Sequence, residues 1–272
     1  MGFRELHHRE TPLLLPNAWD VPSALAFLDA GFEAIGTTSF GVASGLGRPD
    51  GGRTTREANI TLARALVPLH CPISVDIEDG YHDDPEQVAD YVAELASAGV
   101  DVAGVNIEDS TAERLVDPDA QAAKVAAIKR RRPELFVNAR VDTYWLGQDA
   151  TPDATLARAA RYVEAGADGV FVPGASEPSL LRELADTIAV PLNVLAIPGS
   201  SLGQLAALGV RRVSTGSLPY RAAIHAAVAV AGAVRDGGVL PSATPYAELQ
   251  DRLTRHRHTS TWPPDRRART RT

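Results

Sequence analysis

Short apolar, β-branched runs alternate with longer stretches of helical periodicity along most of this chain, and no other feature of the sequence constrains its fold as strongly. Eight runs read as strands: residues 13–15, 34–38, 73–78, 102–108, 136–142, 169–172, 192–195 and 211–216. Each is followed by apolar residues at helical spacing, such as Val88, Tyr91, Val92 and Leu95 before Gly99, or Leu156, Ala159, Ala160 and Val163 before Gly166. The phrases DAGFEAIG, SAGVDVAG, EAGADGVF and ALGVRRVS recur where helix gives way to strand, and their glycines suit the left-handed residue that ends a helix. Strands that alternate with helices imply a parallel sheet with right-handed crossovers, and eight units are the number that closes an α/β fold into a (β/α)8 barrel of the TIM type. The competing arrangement is an open, doubly wound sheet. No GxGxxG follows a strand and no GxxxxGK(S/T) occurs, so neither dinucleotide nor P-loop chemistry is signalled.

Barrels of this kind run to about 250 residues as one domain, so the 272 residues divide into a catalytic barrel over 1–240 and a C-terminal segment over 241–272. In that segment Pro241, Pro245, Pro263 and Pro264 punctuate one helix at 247–255, which has no place in a closed barrel and needs a surface elsewhere, for which a neighbouring subunit is one candidate. The last residues, DRLTRHRHTSTWPPDRRARTRT, hold little apolar material and read as a solvated, disordered basic end. An apolar fraction of 44% and a charged fraction of 22% are enough for a core that needs no disulfide or structural metal, and the lone Cys71 cannot form an intrachain bridge. MGFRELHHRE lacks the apolar run of a signal peptide, and no stretch reaches the ~20 apolar residues of a membrane span, so a cytoplasmic protein without a membrane partner is expected. A net charge of -7 argues against nucleic acid as a partner.

The active site of such a barrel lies at the C-terminal ends of its strands, so polar residues that finish apolar runs are the ones to read. ISVDIEDGY supplies Asp76, Glu78 and Asp79, GVNIEDS supplies Glu108 and Asp109, and FVNARVD supplies Asn138, Arg140 and Asp142. Alternation sends Asp76 and Glu78 to one side, the barrel interior if Asp76 points inward. Carboxylates converging on one rim repel unless protonated or bridged by a cation, and hard oxygen ligands suit Mg²⁺ or Mn²⁺. Asp79 and Asp109 also read as simple loop charges or helix caps. Arg140 can hold a substrate carboxylate by two parallel hydrogen bonds, or make a structural ion pair with Glu108. His82 follows the third strand as a candidate acid or base, or as a solvated loop histidine. The Gly-rich stretch SFGVASGLGRPDGGRTT after the second strand is long enough to serve function rather than mere connection.

PNAWDVPSALAFLDAGFEAIGTTS, the loop ending in GRPDGG, VDIEDGY, NIEDS and NARVD together resemble the isocitrate lyase and phosphoenolpyruvate mutase superfamily, over roughly residues 14–237. The resemblance implies a (β/α)8 barrel that uses Mg²⁺ to stabilise the enolate of a 2-oxo acid while a C–C or P–C bond is cleaved or formed. It implies Asp76 as direct metal ligand, with Glu78 and Glu108 holding the metal through waters; Glu78 stands where the family usually has aspartate. It further implies Asp50 near the metal and the reacting bond, Thr38 with the backbone amides of Ser39 and Phe40 as a cradle for the carboxylate and oxo group, and Arg140 as the substrate-binding arginine. A homotetramer, or a homodimer, in which a C-terminal helix is exchanged is also implied.

The departures narrow the reaction. The KKCGH-type motif of isocitrate and methylisocitrate lyases is absent, since the one cysteine is Cys71. The mutases' EDK segment is replaced by EDSTAERLVD, and Pro173 stands where mutases have a histidine. The expected activity is a Mg²⁺-dependent retro-aldol cleavage or decarboxylation of a small 2-oxo or 2-hydroxy di- or tricarboxylic acid, with Asp50, Glu78 and His82 all open as the base. The alternatives are a phosphonopyruvate-type P–C hydrolase or mutase, favoured if residues 110–116 place Ser110 or Thr111 over the site, and a non-catalytic metabolite binder.

Overall fold

Eight parallel strands close on themselves in the computed structural model, which describes residues 2–98 and 102–259. Strand β1 runs as Leu13–Leu15 and Asn17–Ala18 on either side of Pro16, followed by β2 (Ile35–Thr37), β3 (Ile73–Asp76), β4 (Val102–Glu108), β5 (Phe136–Arg140), β6 (Gly169–Phe171), β7 (Leu192–Leu195) and β8 (Val210–Ser214). Proline has no N–H to give to a ladder, and β1 changes neighbours there. Its first half pairs with β8, Leu13 opposite Arg212, and its second half pairs with β2, Asn17 opposite Gly36. This double pairing joins the two edges, so the barrel and not the open sheet is the fold.

The helices in chain order are α1 (Phe3–Leu6), α2 (Val21–Asp29), α3 (Ser39–Gly45), α4 (Arg56–Leu66), α5 (Pro85–Ser97), α6 (Pro118–Arg131), α7 (Thr143–Leu146), α8 (Pro152–Glu164), α9 (Pro178–Thr187), α10 (Leu202–Ala207), α11 (Leu218–Asp236) and α12 (Tyr246–Thr259). Three of them start with a capping residue followed by proline. The side chains of Asp84, Asp117 and Thr151 accept first-turn amides just before Pro85, Pro118 and Pro152, each a residue that offers no N–H where none can be used. At the helix-to-strand joints Gly31, Gly166 and Gly209 have φ of 88°, 102° and 87°. A Cβ on Gly209 would also lie 2.5 Å from the Ala185 Cβ, so no other residue fits there. Gly99 of the SAGVDVAG joint and the basic tail from residue 260 lie outside the described residues.

Residues that alternate along each strand divide between two environments. Val75, Val105, Ile107, Val137 and Ala139 face outward and are fully buried under Val88, Val92, Leu95, Val125 and Ile128 of the helices. The inward set is polar instead: Ser74 and Asp76, Asn106 and Glu108, Asn138 and Arg140, Arg212 and Ser214. The base of the barrel is closed by α1, where Phe3 meets Phe136 edge-on and His7 stacks on it with ring centroids 4.2 Å apart. Gly104 lets Phe3 and Phe136 come this close, since a Cβ there would lie 2.7 Å from the Phe136 carbonyl oxygen.

The helix expected at 247–255 is α12, and it packs against α2 of its own chain, with Arg252 Nε 2.8 Å from Asp29 Oδ2. The helix without a surface to cover it is α11, none of whose 19 residues is buried. Among the described residues no helix is long and apolar enough to cross a membrane.

Candidate active site

The C-terminal strand ends surround a cavity of about 290 Å³. Thr38, Ser39, Phe40, Asp50, Asp76 and Arg140 all line it, so six residues singled out in the sequence meet at one place. Ser39 connects two of the acids. Its backbone N–H donates to Asp76 Oδ2 at 3.0 Å, and its hydroxyl bonds to the Asp50 carboxyl. The Ser39 amide expected in the carboxylate cradle is therefore turned to Asp76. Thr38 is buried and caps α3, where its hydroxyl accepts from the Gly41 amide. Asp50 belongs to an exposed loop, but its carboxyl reaches into the cavity, where burial and then the charge of Asp76 raise its pKa against the pull of Ser39.

Arg140 sits between two carboxylates. Glu108 Oε2 is 2.8 Å from its Nη1 and Asp142 Oδ1 is 2.5 Å from its Nε. The pair with Glu108 follows from the ladder, since the two residues are direct register partners on β4 and β5. Burial works against the Arg140 charge, but Asp142, Glu108 and Asp76 outweigh it and hold its pKa above the usual range. Its guanidinium also lies 5.6 Å from the Trp145 ring centroid and 5.9 Å from that of Phe171. Glu108 is set behind Arg140 rather than on the cavity wall, and its pKa is raised by burial, with Asp142, Asp76 and Asp50 adding to it and Arg140 opposing.

Glu78 is also set back. The strand ends at Asp76, and Glu78 adopts φ 49°, so alternation no longer governs where it points. Its oxygens accept from the Thr55 hydroxyl at 2.5 Å and the Arg53 amide at 2.8 Å, while burial raises its pKa. Asp79 and Asp109 are neither loop charges nor helix caps. Asp79 is buried and accepts from Arg53, the Thr111 hydroxyl and the Tyr81 amide. Asp109 accepts from Arg158, Tyr162 and the Asp142 amide. These two aspartates tie the Gly-rich loop, the segment after β4 and the segment after β5 into one rim. His82 is exposed and accepts the Asp84 amide at the start of α5, away from the cavity.

Residues 110–116 form a tight antiparallel hairpin in which Ser110 and Thr111 pair with Leu115 and Arg114. The Ser110 hydroxyl donates to Asp142 Oδ2 at 2.6 Å and Thr111 to Asp79 Oδ2 at 2.5 Å. Neither hydroxyl lines the cavity. Several residues on the wall were missed in the sequence. Asn106 is the register partner of Asp76 on the neighbouring strand, Trp145 is 55% exposed on α7, and Arg221 sits on the first turn of α11 with no ion pair among the described residues. The asparagine stands in NIEDS, already under scrutiny for its acids; Arg221 and Trp145 carry no strand-end signal and are brought in by the helices.

The donor set fits a hard divalent cation. Asp76 and Asp50 present oxygen to the cavity, no histidine or cysteine lines it among the described residues, and the charge of Asp76 raises the pKa of Asp50 and of Glu108, with Arg140 as the near cation. Among the described residues no three of His, Cys, Asp and Glu stand ready as a closed ligand group. Water and substrate oxygens would then fill the remaining positions, as Mg²⁺ commonly requires.

The family model described as phosphoenolpyruvate phosphomutase matches residues 3–235. An uncharacterised protein of Mycobacterium tuberculosis (strain ATCC 25618 / H37Rv) is 61% identical over 253 residues, 93% of this chain and 96% of that one. Oxaloacetate decarboxylase of Pseudomonas fluorescens (strain SBW25) is 32% identical over 240 residues, 82% of this chain and 80% of its own. Among solved structures, a phosphonopyruvate hydrolase in complex with oxalate and Mg²⁺ superposes with a TM-score of 0.80 at 25% identity, over 95% of this chain and 97% of the other.

Proposed function

Because this chain belongs to the phosphoenolpyruvate phosphomutase family and is an enzyme of that lyase and mutase superfamily, we propose that it is a Mg²⁺-dependent lyase that cleaves a C–C bond, by retro-aldol reaction or decarboxylation, in a small 2-oxo or 2-hydroxy di- or tricarboxylic acid. The observation that carries this reading is the meeting of Asp50, Asp76 and Arg140 in one cavity at the strand ends, with Arg221, which has no ion pair among the described residues, on the same wall. The relatedness to an oxaloacetate decarboxylase supports the substrate class. Ser110 and Thr111 are tethered to Asp142 and Asp79 and do not line the cavity, which supports C–C over P–C cleavage.

Asp76 would hold the Mg²⁺ directly, with Glu108 and Glu78 at longer range through waters. When bound, the metal supplies a fixed positive charge beside the oxo oxygen of the substrate. Arg140 adds to that potential while its own pairs with Glu108 and Asp142 hold it rigid, so the field is organised before the substrate arrives. Thr38, Ser39 and Phe40 bound the end of the cavity where the oxo-acid group sits, and Arg221 meets a second carboxylate. Asp50 is the group that moves the proton: it alone of the three candidate bases lines the cavity, and a raised pKa brings a carboxyl nearer to working pH. Trp145, Leu195 and Pro198 add apolar surface to the cavity wall, which limits the water around the reacting groups.

The exposed apolar surface of α11 supports assembly with a second copy of the chain. Ile224, Val228 and Val234 are 52%, 68% and 64% exposed on a helix with no buried residue.

The test is a proton NMR screen of the purified protein against oxaloacetate, 2-methylisocitrate and substituted malates, with Mg²⁺ or with chelator. Formation of pyruvate or glyoxylate that requires Mg²⁺ and disappears in Asp76→Ala is expected. Turnover that persists in chelator, or in Asp76→Ala, would overturn the reading.

A further inference from the structure

Beneath the cavity floor lies an arginine that nothing in the reaction above uses. Arg212 is fully buried inside the barrel, with no carboxylate in ion-pair distance among the described residues. Its Nη2 donates to Asn106 Oδ1 at 3.0 Å and to Ser74 Oγ at 3.4 Å, its Nε donates to Ser214 Oγ at 3.3 Å, and Nη1 has no partner among the described residues. Burial lowers its pKa to about 9, opposed by Asp76, which leaves it charged at neutral pH. Leaving a buried guanidinium without an anion is costly, so its neighbours are held in whatever orientation satisfies it.

That requirement decides the orientation of Asn106. A guanidinium has five donors and no acceptor, so the Asn106 atom facing Arg212 must be the carbonyl oxygen. Asn138 Nδ2 donates to the same oxygen at 2.9 Å. The Asn106 NH₂ is thereby turned the other way. It has no hydrogen-bond partner among the described residues, is not sealed from solvent, and belongs to a residue that lines the cavity. Asn106 is also the register partner of Asp76 on the adjacent strand, so its amide stands beside the proposed metal ligand.

We propose that Asn106 is a substrate-binding donor on the cavity floor, aimed at an oxygen of the bound oxo acid, and that Arg212 is the positioning residue that fixes its amide. The proposal rests on the reading of the cavity as a 2-oxo-acid site. Oxalate is the probe, because its two adjacent carboxylates present the oxygens that a planar 2-oxo acid or its enolate would present.

Calorimetric titration measures oxalate binding in the presence of Mg²⁺, and Mg²⁺ binding alone. In Asn106→Leu the oxalate Kd is expected to rise about tenfold, the size of one hydrogen bond to a charged acceptor, with the Mg²⁺ Kd little changed. Arg212→Met should show a similar rise, and the double variant no more than either single one, because both remove the same oriented donor. Asn106→Asp separates this from a structural role: Arg212 gains a carboxylate, so thermal stability is kept or raised, while oxalate binding falls further than in Asn106→Leu. Unchanged oxalate affinity in Asn106→Leu, or additive losses in the double variant, would overturn the proposal and leave the function standing. A wild-type protein that binds no oxalate with Mg²⁺ would overturn both.

Discussion

A buried guanidinium is tolerable only if its charge is answered, and the barrel holds two that are answered differently. Arg140 lies between Glu108 and Asp142, whereas Arg212 relies on neutral side chains and the more distant Asp76. Arg140→Gln therefore leaves two buried carboxylates without their cation, and a loss of about 3–5 kcal/mol is expected in calorimetric unfolding alongside lost turnover. Arg140→Lys keeps the charge but not the planar fork, so it should fold nearly as well and still turn over at least tenfold more slowly. His7 carries a separate prediction. Burial, then Arg212, lowers its pKa to about 3 from 6.5. In the unfolded chain it takes up a proton below about pH 6.5, while in the folded protein it does not, so its contribution is whole above 6.5 and is lost as pH falls toward 3. The expected slope is up to about 1.4 kcal/mol per pH unit. Denaturant titrations of His7→Phe across that window should show this part of the acid sensitivity gone; an unchanged slope would mean that His7 is not its source.

The segment after β4 is an element whose local chemistry conflicts with its sequence. Ala112 and Glu113 hold φ of 48° and 60° at the tip of the hairpin, a two-residue turn with both residues left-handed, where Asn-Gly is the natural choice. The turn is held by Gln148, which accepts from the Leu115 amide and donates to the Glu113 carbonyl, while Arg158 reaches the Val116 carbonyl. The double replacement Ala112→Asn, Glu113→Gly should stabilise the protein by about 0.5–1 kcal/mol and raise Tm by a few degrees. Turnover should be unaltered, since the hairpin tip does not line the cavity. A fall in kcat would instead reveal that this segment moves during the reaction.

At the scale of the whole molecule, α11 links the cavity to the exterior: Leu218 and Arg221 of its first turn line the site, and its later turns carry the uncovered valines. Val228→Glu with Val234→Glu is expected to reduce the sedimentation coefficient to that of a single chain; an unchanged oligomer would locate the interface elsewhere. The barrel itself was legible in the sequence because it follows from local rules, the strand and helix periods, glycine at the joints and the cap-proline starts, which need no knowledge of what lies across the molecule. The strand-end motifs likewise announced Asp76, Glu108 and Arg140. Their division of labour did not follow, because Glu78 passes through a left-handed turn that breaks alternation, and because Asp79 and Asp109 are buried by segments distant in the chain. The sequence by itself determined the eight strand-and-helix units and the strand ends where the candidate site lies, and the double pairing of β1 closed them into a barrel. Only the tertiary structure decided which acids face the cavity, which helix is left uncovered, and that Arg212 lies beneath Asn106, because those depend on contacts between separate elements, from Thr55 with Glu78 to Asn106 with Arg212, to which no periodicity within one strand or helix is sensitive.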